Sequence, residues 1–480
     1  MSTATLEQQD DAGSARELLR VALPLIISSG SQSLLHVVDR IFLTWWSVDA
    51  VAASLPAGVF YWTLLSLPFG TVMYANTFVA QYTGAGRSDR VAASIWQAVY
   101  FALLCGCGLA ALAPVSGVLI GWTGHTGTIA RLETDYLAIT FLGALPALVG
   151  TACSTFFSGR GRTVVIMWVH VFASLLNIAL DPMFIFGFGP IPEMGIRGAA
   201  WATNIANVVS CLLFVGLLVI AARKEGYSLW RARRFDRELT GRMLRFGLPT
   251  GVQHFVDVGA FLLFVILAGR LGSTAAAATA LAFNLNTMVF IPMIGFGTAV
   301  LTLVGRRIGE QRADLAARTT WIAFALAAAY MGAFAVLYVL TPHWLLAPYA
   351  ATEHVAEFQA IEPVVVVLLR FVAVYSFFDA MAIIFGSAIR GAGDSQFSFW
   401  WTFATSWLLM VLPTWLAVRA GYGGLPICWT AAAIYITVLG IGFLIRFLGG
   451  RWREMSVIEQ TESALDDDAV LAPATATGGT

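Results

Sequence analysis

Four aspartates stand inside apolar runs, and each can be weighed singly. Asp39 lies in Leu34-Leu35-His36-Val37-Val38-Asp39-Arg40, and Asp181 in Leu175-Leu176-Asn177-Ile178-Ala179-Leu180-Asp181-Pro182. Asp257 lies in His254-Phe255-Val256-Asp257-Val258-Gly259, and Asp379 in Tyr375-Ser376-Phe377-Phe378-Asp379-Ala380-Met381. A carboxylate at the centre of a bilayer costs about 3 kcal/mol on insertion scales, so such residues are functional candidates by default. The chemistry on offer is cation handling. An Asp in a low-dielectric setting can load or release a proton near neutral pH, and it is a counter-charge for a cationic substrate. Asn177 and Asp181 are four apart and share a helix face. Together they present a carboxylate and an amide carbonyl, hard oxygen ligands for a cation such as Na⁺. Each acid also has a bland reading. Asp39 could pair with Arg40, although neighbours on a helix diverge by about 100°. Asp181 could sit at a helix end facing water, and Asp257 and Asp379 could be structural hydrogen-bonded acids. His36 and His254 accompany the acids; a lone intramembrane His is more often a packing residue than a proton carrier.

A second group could contact a flat organic cation, because aromatic faces and Met sulfur suit such ligands. The candidates are Tyr61, Trp62, Phe283, Asn284 and Met288, with Tyr375 beside Asp379. The alternative for each is a side chain that faces lipid.

Long apolar elements must position these residues. The chain has 480 residues, 58% hydrophobic and only 12% charged, where a soluble domain has about a quarter charged. A membrane helix needs about 20 apolar residues, and twelve such spans are expected. They fall near 18–45, 53–82, 91–119, 130–158, 163–187 and 197–221, then near 243–269, 275–305, 315–340, 357–389, 396–418 and 424–448. The fold class is therefore all-α and integral to the membrane. The expected organisation is a tail at 1–17, a bundle at 18–222, a basic linker at 223–242, a second bundle at 243–450 and a disordered polar tail at 451–480. No cleavable signal is evident. The five cysteines lie in apolar runs without a disulfide or CxxC pattern.

The two bundles are copies. With the chain shifted on itself by about 225 residues, Gly70 meets Gly295, and Gly84, Arg87, Asp89 and Trp96 meet Gly309, Arg312, Asp314 and Trp321. Six spans per copy give both the same orientation, a parallel repeat of the kind that brackets a transport path. The acids are not copied: Phe264 stands opposite Asp39, and Gln32 opposite Asp257. Arg and Lys crowd one side of the spans, above all the linker (Arg223, Lys224, Arg231, Arg233, Arg234, Arg237, Arg242, Arg245). That side, with both termini, is expected to be cytoplasmic. A nucleic-acid patch is the other reading of a basic run, and no DNA-binding fold accompanies it. No GxxxxGK[ST], HExxH or GxSxG motif occurs, so neither ATP-driven transport nor a recognisable catalytic centre is expected.

The chain resembles the multidrug and toxic compound extrusion (MATE) family over about residues 16–448. The resemblance rests on Leu23-Pro24 with Asp39, on Ala80-Gln81-Tyr82-Thr83-Gly84-Ala85-Gly86, and on Asn177 to Asp181. Met194-Gly195-Ile196-Arg197-Gly198-Ala199, Gly269-Arg270-Leu271-Gly272 and Arg390-Gly391-Ala392-Gly393-Asp394-Ser395 complete it. It implies two six-helix bundles around a V-shaped cavity and export of drugs or metabolites coupled to H⁺ or Na⁺. It also implies a cation site at Asp39, Asn177, Asp181 and Thr203, and a second acidic set, Asp257 and Asp379, like the NorM-like branch. Na⁺ could be held by Asp39, Asn177 and Asp181 or by Asp257 and Asp379. The chain departs from the family in Thr44-Trp45-Trp46-Ser47 after the first span and in Arg40 beside Asp39. The expectation is a monomeric antiporter of the inner (plasma) membrane, with no cofactor beyond its coupling ion, no nucleic-acid partner and no enzymatic activity. A lipid-linked sugar flippase is the alternative of the same class, and an integral-membrane transferase the alternative of another.

Overall fold

The computed structural model describes residues 13–459 apart from 123, 351–354 and 422–423. Twelve helices in it are long and apolar enough to cross a membrane. They are α1 (Ala15–Trp46), α2 (Val48–Gly84), α3 (Ser88–Gly121), α4 (Gly127–Ser158), α5 (Thr163–Ile185) and α6 (Ile196–Lys224) in the first half. The second half holds α7 (Arg237–Gly269), α8 (Ser273–Gly309), α9 (Ala313–Leu340), α10 (Phe358–Ala392), α11 (Ser395–Ala420) and α12 (Gly424–Leu448). In lipid every backbone polar group must be satisfied within the segment, and helices do this. The ends agree with the apolar runs to within a few residues, except that α7 begins inside the stretch expected to be linker.

The halves repeat each other in packing as in sequence. In the first, α4 packs on α2, α3 and α6, and α1 on α5; in the second, α10 packs on α8, α9 and α12, and α7 on α11. Between halves, α7 packs on α2, α8 on α1, and α8 on α2. The last contact is the axis of the pseudo-symmetry, and glycines make it. A Cβ on Gly84 would fall on the Arg306 carbonyl, and a Cβ on Gly309 would fall on the Gln81 carbonyl. These are one contact seen twice, because Arg306 and Gly309 lie 225 residues after Gln81 and Gly84. Farther along, a Cβ on Gly70 would lie 2.9 Å from the Gly251 Cα, and one on Gly295 would lie 2.7 Å from the Ile26 nitrogen. Small residues allow such backbone approach in membranes, where no hydrophobic effect drives helices together.

Polar groups reinforce this seam. The Asn76 amide donates to Thr302 Oγ1 at 2.9 Å, and the Tyr74 hydroxyl donates to the Arg390 carbonyl at 3.1 Å. The Gln81 amide donates to the carbonyls of Gly391 and Ala392 at 3.0 and 3.2 Å. Ser14 caps α1 by accepting from the Glu17 N–H at 3.2 Å, and Glu17 accepts from Arg307 of α8 at 2.7 Å. Asp236 caps α7 by accepting from the Leu239 N–H at 2.9 Å, and it also accepts from Arg90 of α3 at 2.8 Å. Among the described residues, every side-chain hydrogen bond between halves lies on the side that carries the inter-half connection. We call it the linker face.

Residues 451–459 correct the expectation of a disordered tail from 451. Trp452 stacks on Phe447 at 4.8 Å and donates to its carbonyl at 2.8 Å. Gln81 Oε1 accepts from the Val457 N–H at 2.9 Å and from the Ser456 hydroxyl at 3.0 Å. Glu459 accepts from the Tyr82 hydroxyl at 2.7 Å and pairs with Arg90 and Arg242. This segment therefore straps the two halves together. The rest of the expected tail, 460–480, and most of the leading one, 1–12, lie outside the described residues.

Two outcomes follow. Gly309→Leu is expected to cost roughly 1–3 kcal/mol as overpacking, lowering the melting temperature and the yield of monodisperse protein. Gly332→Leu on α9, where a Cβ meets nothing within 4 Å, is expected to leave both unchanged. Burial pushes the Glu459 carboxyl up, but bonds from Arg242, Tyr82 and Arg90 outweigh it and hold the group well below the ordinary 4.5. Its stabilisation is therefore complete above that ordinary value and fades as the pH falls below it. Amide exchange at Val457, corrected for intrinsic rates, is expected to be slow and constant down to about pH 4.5, and fast at all pH values in Glu459→Gln.

Candidate functional site

The structure sorts the four aspartates into two clusters, one per half. Asp39 on α1 is 7% exposed and Asp181 on α5 is fully buried. The two lie within electrostatic reach of each other, and Tyr136 of α4 feels both. Asp39 Oδ1 and Asp181 Oδ1 are buried without a hydrogen-bond partner. With its amide turned so that both ends find partners, Asn177 donates to Asp181 Oδ2 at 3.1 Å, and its carbonyl accepts from the Thr203 N–H at 3.0 Å and hydroxyl at 3.3 Å. Asn177 thus ties α5 to α6 and orients one oxygen of Asp181, leaving the other free. Among the described residues no ion pair joins Asp39 to Arg40. Tyr61 of α2 is also within reach of Tyr136 and packs edge-on against Phe141 at 6.1 Å.

In the second half, Tyr435 of α12 lies within electrostatic reach of both Asp257 on α7 and Asp379 on α10. Tyr375, one turn before Asp379, is buried and feels Asp379 and Tyr338. Asp257 Oδ1 is buried without a hydrogen-bond partner. One cation approaches this cluster. Arg390 lies inside α10, within reach of Asp257 and of Tyr74 on α2. Its guanidinium donates to Ser387 at 3.2 Å. Asp257 is therefore linked through one residue to the seam between the halves.

The donor sets can accept a monovalent cation or a proton. The first cluster has two buried carboxylate oxygens without partners and the second has one, and the first adds amide and hydroxyl oxygens. Hard monovalent cations favour such oxygens. Among the described residues no three His, Cys, Asp or Glu side chains gather to hold a metal ion.

The six candidate substrate contacts separate. Tyr61 and Tyr375 join the acid clusters. Phe283 turns into the second bundle, stacked on Trp429 at 4.9 Å and edge-on to Phe261 at 4.6 Å. Trp62 (44% exposed), Met288 (69% exposed) and Asn284 are open. They lie on α2 and α8 past Gly70 and Gly295, on stretches where no hydrogen bond crosses between halves among the described residues. Tyr136, Tyr435 and Arg390 escaped the sequence reading. A Tyr at a span's polar edge or in a uniform apolar run carries no periodic mark, and Arg390 was hidden by the neighbouring Gly391-Ala392-Gly393 turn.

The MatE family model matches residues 24–183 and again 249–416, and the two matches begin at the paired prolines Pro24 and Pro249. The probable multidrug resistance protein NorM of Thermotoga maritima is 26% identical over 455 residues, 92% of this chain and 94% of its own length. The multidrug resistance protein NorM of Vibrio cholerae is 29% identical over 405 residues, 83% of this chain and 86% of its own. Among solved structures, an outward-facing multidrug resistance MATE family transporter of the MOP superfamily is similar with a TM-score of 0.82 at 22% identity, over 92% of this chain and 96% of that one. A MOP superfamily transporter from Pyrococcus furiosus is similar with a TM-score of 0.81 at 22% identity, over 91% and 95%.

The hydrogen bonds of Asn177 set an order of stabilities. Asn177→Ala strips Asp181 of its N–H donor and leaves a buried acceptor short, at roughly 1–3 kcal/mol. Thr203→Val removes one hydroxyl donor and leaves the backbone N–H in place, so its loss is expected to be the smaller in thermal unfolding. Equal losses would contradict the arrangement.

Proposed function

This chain belongs to the MatE family, and we propose that it is a cation-coupled antiporter that exports organic, cationic or amphiphilic drugs or metabolites by alternating access. One observation carries the reading: acids with a buried, unpartnered oxygen stand in both halves of a duplicated bundle. Burying an uncompensated carboxylate is costly, and a site that is repeatedly loaded and emptied is a reason to keep it so. In this account H⁺ or Na⁺ neutralises Asp39 and Asp181, or Asp257 and Asp379, and so competes with a cationic substrate. Asn177 and Thr203 orient the first pair, and Arg390 links Asp257 to the seam. Neutralising Asp257 weakens its hold on Arg390 and biases the seam toward opening. Coupling follows from the difference in affinity between the two states.

The open residues Trp62, Asn284 and Met288 suit the flat, apolar face of such a substrate. The names of the NorM relatives support multidrug substrates. The arginines crowded on the linker face support a cytoplasmic placement of that face, in an inner membrane. The seam closed on that face supports a path that opens on the opposite one. No occupant other than the coupling ion is required, and a monomer suffices. The sugar flippase reading calls for a cationic cavity, and both clusters are acidic.

The test uses purified protein in liposomes loaded with a fluorescent organic cation, with a pH gradient and a Na⁺ gradient imposed separately. Gradient-driven efflux is expected in wild type. It is expected to fall by about tenfold or more when the half that couples loses its acid, in Asp39→Asn or Asp379→Asn, since one lost charge interaction of about 1.4 kcal/mol is tenfold. Full transport with Asp39, Asp181, Asp257 and Asp379 all changed to Asn would contradict the proposal.

A further inference from the structure

Arg370 is a cation that the transport reading does not use. It sits in α10, nine residues before Asp379. That separation is about two and a half turns, so the two side chains leave opposite faces of the helix. Arg370 belongs instead to an exposed stripe with Val367 (42%), Val374 (65%) and Phe377 (46%). A matching stripe on α12 exposes Thr430 and Ile434. Between the stripes runs a groove of about 490 Å³, lined by Val367, Arg370, Val374, Thr430, Ile434 and Val438 among others. Its walls are almost wholly apolar, and Arg370 is its one charge among the described residues. No hydrogen bond, ion pair or aromatic ring engages that guanidinium among the described residues.

The register fixes its depth. Gly440 of α12 packs against the Phe378 carbonyl of α10, so Arg370 is level with about the ninth residue of α12. At 1.5 Å per residue this is ~12 Å from that helix's start. An unpaired arginine on an exposed apolar stripe of a membrane span is costly to leave in hydrocarbon. Snorkelling lifts its guanidinium toward the headgroup level, with the stem lying on the apolar wall.

We infer that the α10–α12 groove holds one anionic phospholipid, its phosphate on Arg370 and an acyl chain along Val367, Val374 and Ile434. The charge selects the occupant. A net-negative lipid neutralises the lone guanidinium and satisfies its donors in a charge-assisted pair. A zwitterionic lipid brings an ammonium that offsets the gain, and an apolar partner helix leaves the charge unpaired.

The experiment titrates delipidated full-length protein with phosphatidylglycerol or phosphatidylcholine and counts bound lipid by native mass spectrometry. Wild type is expected to bind one phosphatidylglycerol about tenfold more tightly than phosphatidylcholine, the scale of one charge-assisted pair. Arg370→Gln is expected to erase that preference, and Arg370→Lys to retain part of it. Val374→Trp, which fills the bed while keeping the charge, is expected to weaken phosphatidylglycerol binding several-fold. The inference is overturned if wild type shows no preference or if Arg370→Gln keeps it. It is equally overturned if Val374→Trp binds phosphatidylglycerol as wild type does, or if the groove is taken by a second copy, seen as a dimer lost in Arg370→Gln. Should Arg370→Gln fail to fold, the Lys and Trp variants still decide.

Discussion

Everything in this structure hangs on two helices approaching so closely that only glycine fits. At the crossing of α2 and α8, Gly84 lies against the Arg306 carbonyl and Gly309 against the Gln81 carbonyl. Lipid tails are as apolar as leucine, so two bundles gain nothing by merely hiding hydrophobic surface from one another. They adhere where backbones can touch and polar groups can pair. The duplication supplies that contact twice over in one place, because each half brings the same glycine and the same neighbouring carbonyl to the axis. Asn76, Gln81 and Tyr74 then add hydrogen bonds across it. The seam is thus a discrete contact in which close backbone approach and paired polar groups coincide.

The acids gain meaning from that seam. Asp39 and Asp181 lie in one half, Asp257 and Asp379 in the other, and the copies of these residues in the opposite halves are not acidic. The fold is symmetric where the halves meet and asymmetric in its intramembrane acids. Arg390 connects the two regions, with its carbonyl in the seam at Tyr74 and its guanidinium within reach of Asp257. A change of charge at Asp257 therefore has a short physical route to the contact that holds the halves together.

Much of this was legible in the sequence. Apolar length set the twelve helices, because each must bury its own backbone. The glycine pairs Gly70 with Gly295 and Gly84 with Gly309 were visible from the offset alone, and the Asn177–Asp181 spacing announced a shared face. What stayed hidden depends on azimuth and on distant partners. A uniformly apolar helix does not reveal which side meets lipid, so Tyr136 and Tyr435 gave no sign of lying among the acids, and Phe283 gave none of turning into the bundle. The ordering of 451–459 was invisible for another reason: its polar composition reads as a tail, while its stability comes from Gln81, Tyr82 and Arg90, some 370 residues earlier.

The central claim is that the acids bind either the coupling cation or a cationic substrate. Displacement can be measured directly, without transport. Tetraphenylphosphonium would be titrated into purified protein in weakly buffered nanodiscs, with proton release and Na⁺ dependence followed by calorimetry in two buffers of different ionisation enthalpy. The account predicts that binding either expels protons or weakens as Na⁺ rises. Binding that releases no proton at any pH and is indifferent to Na⁺ would contradict it.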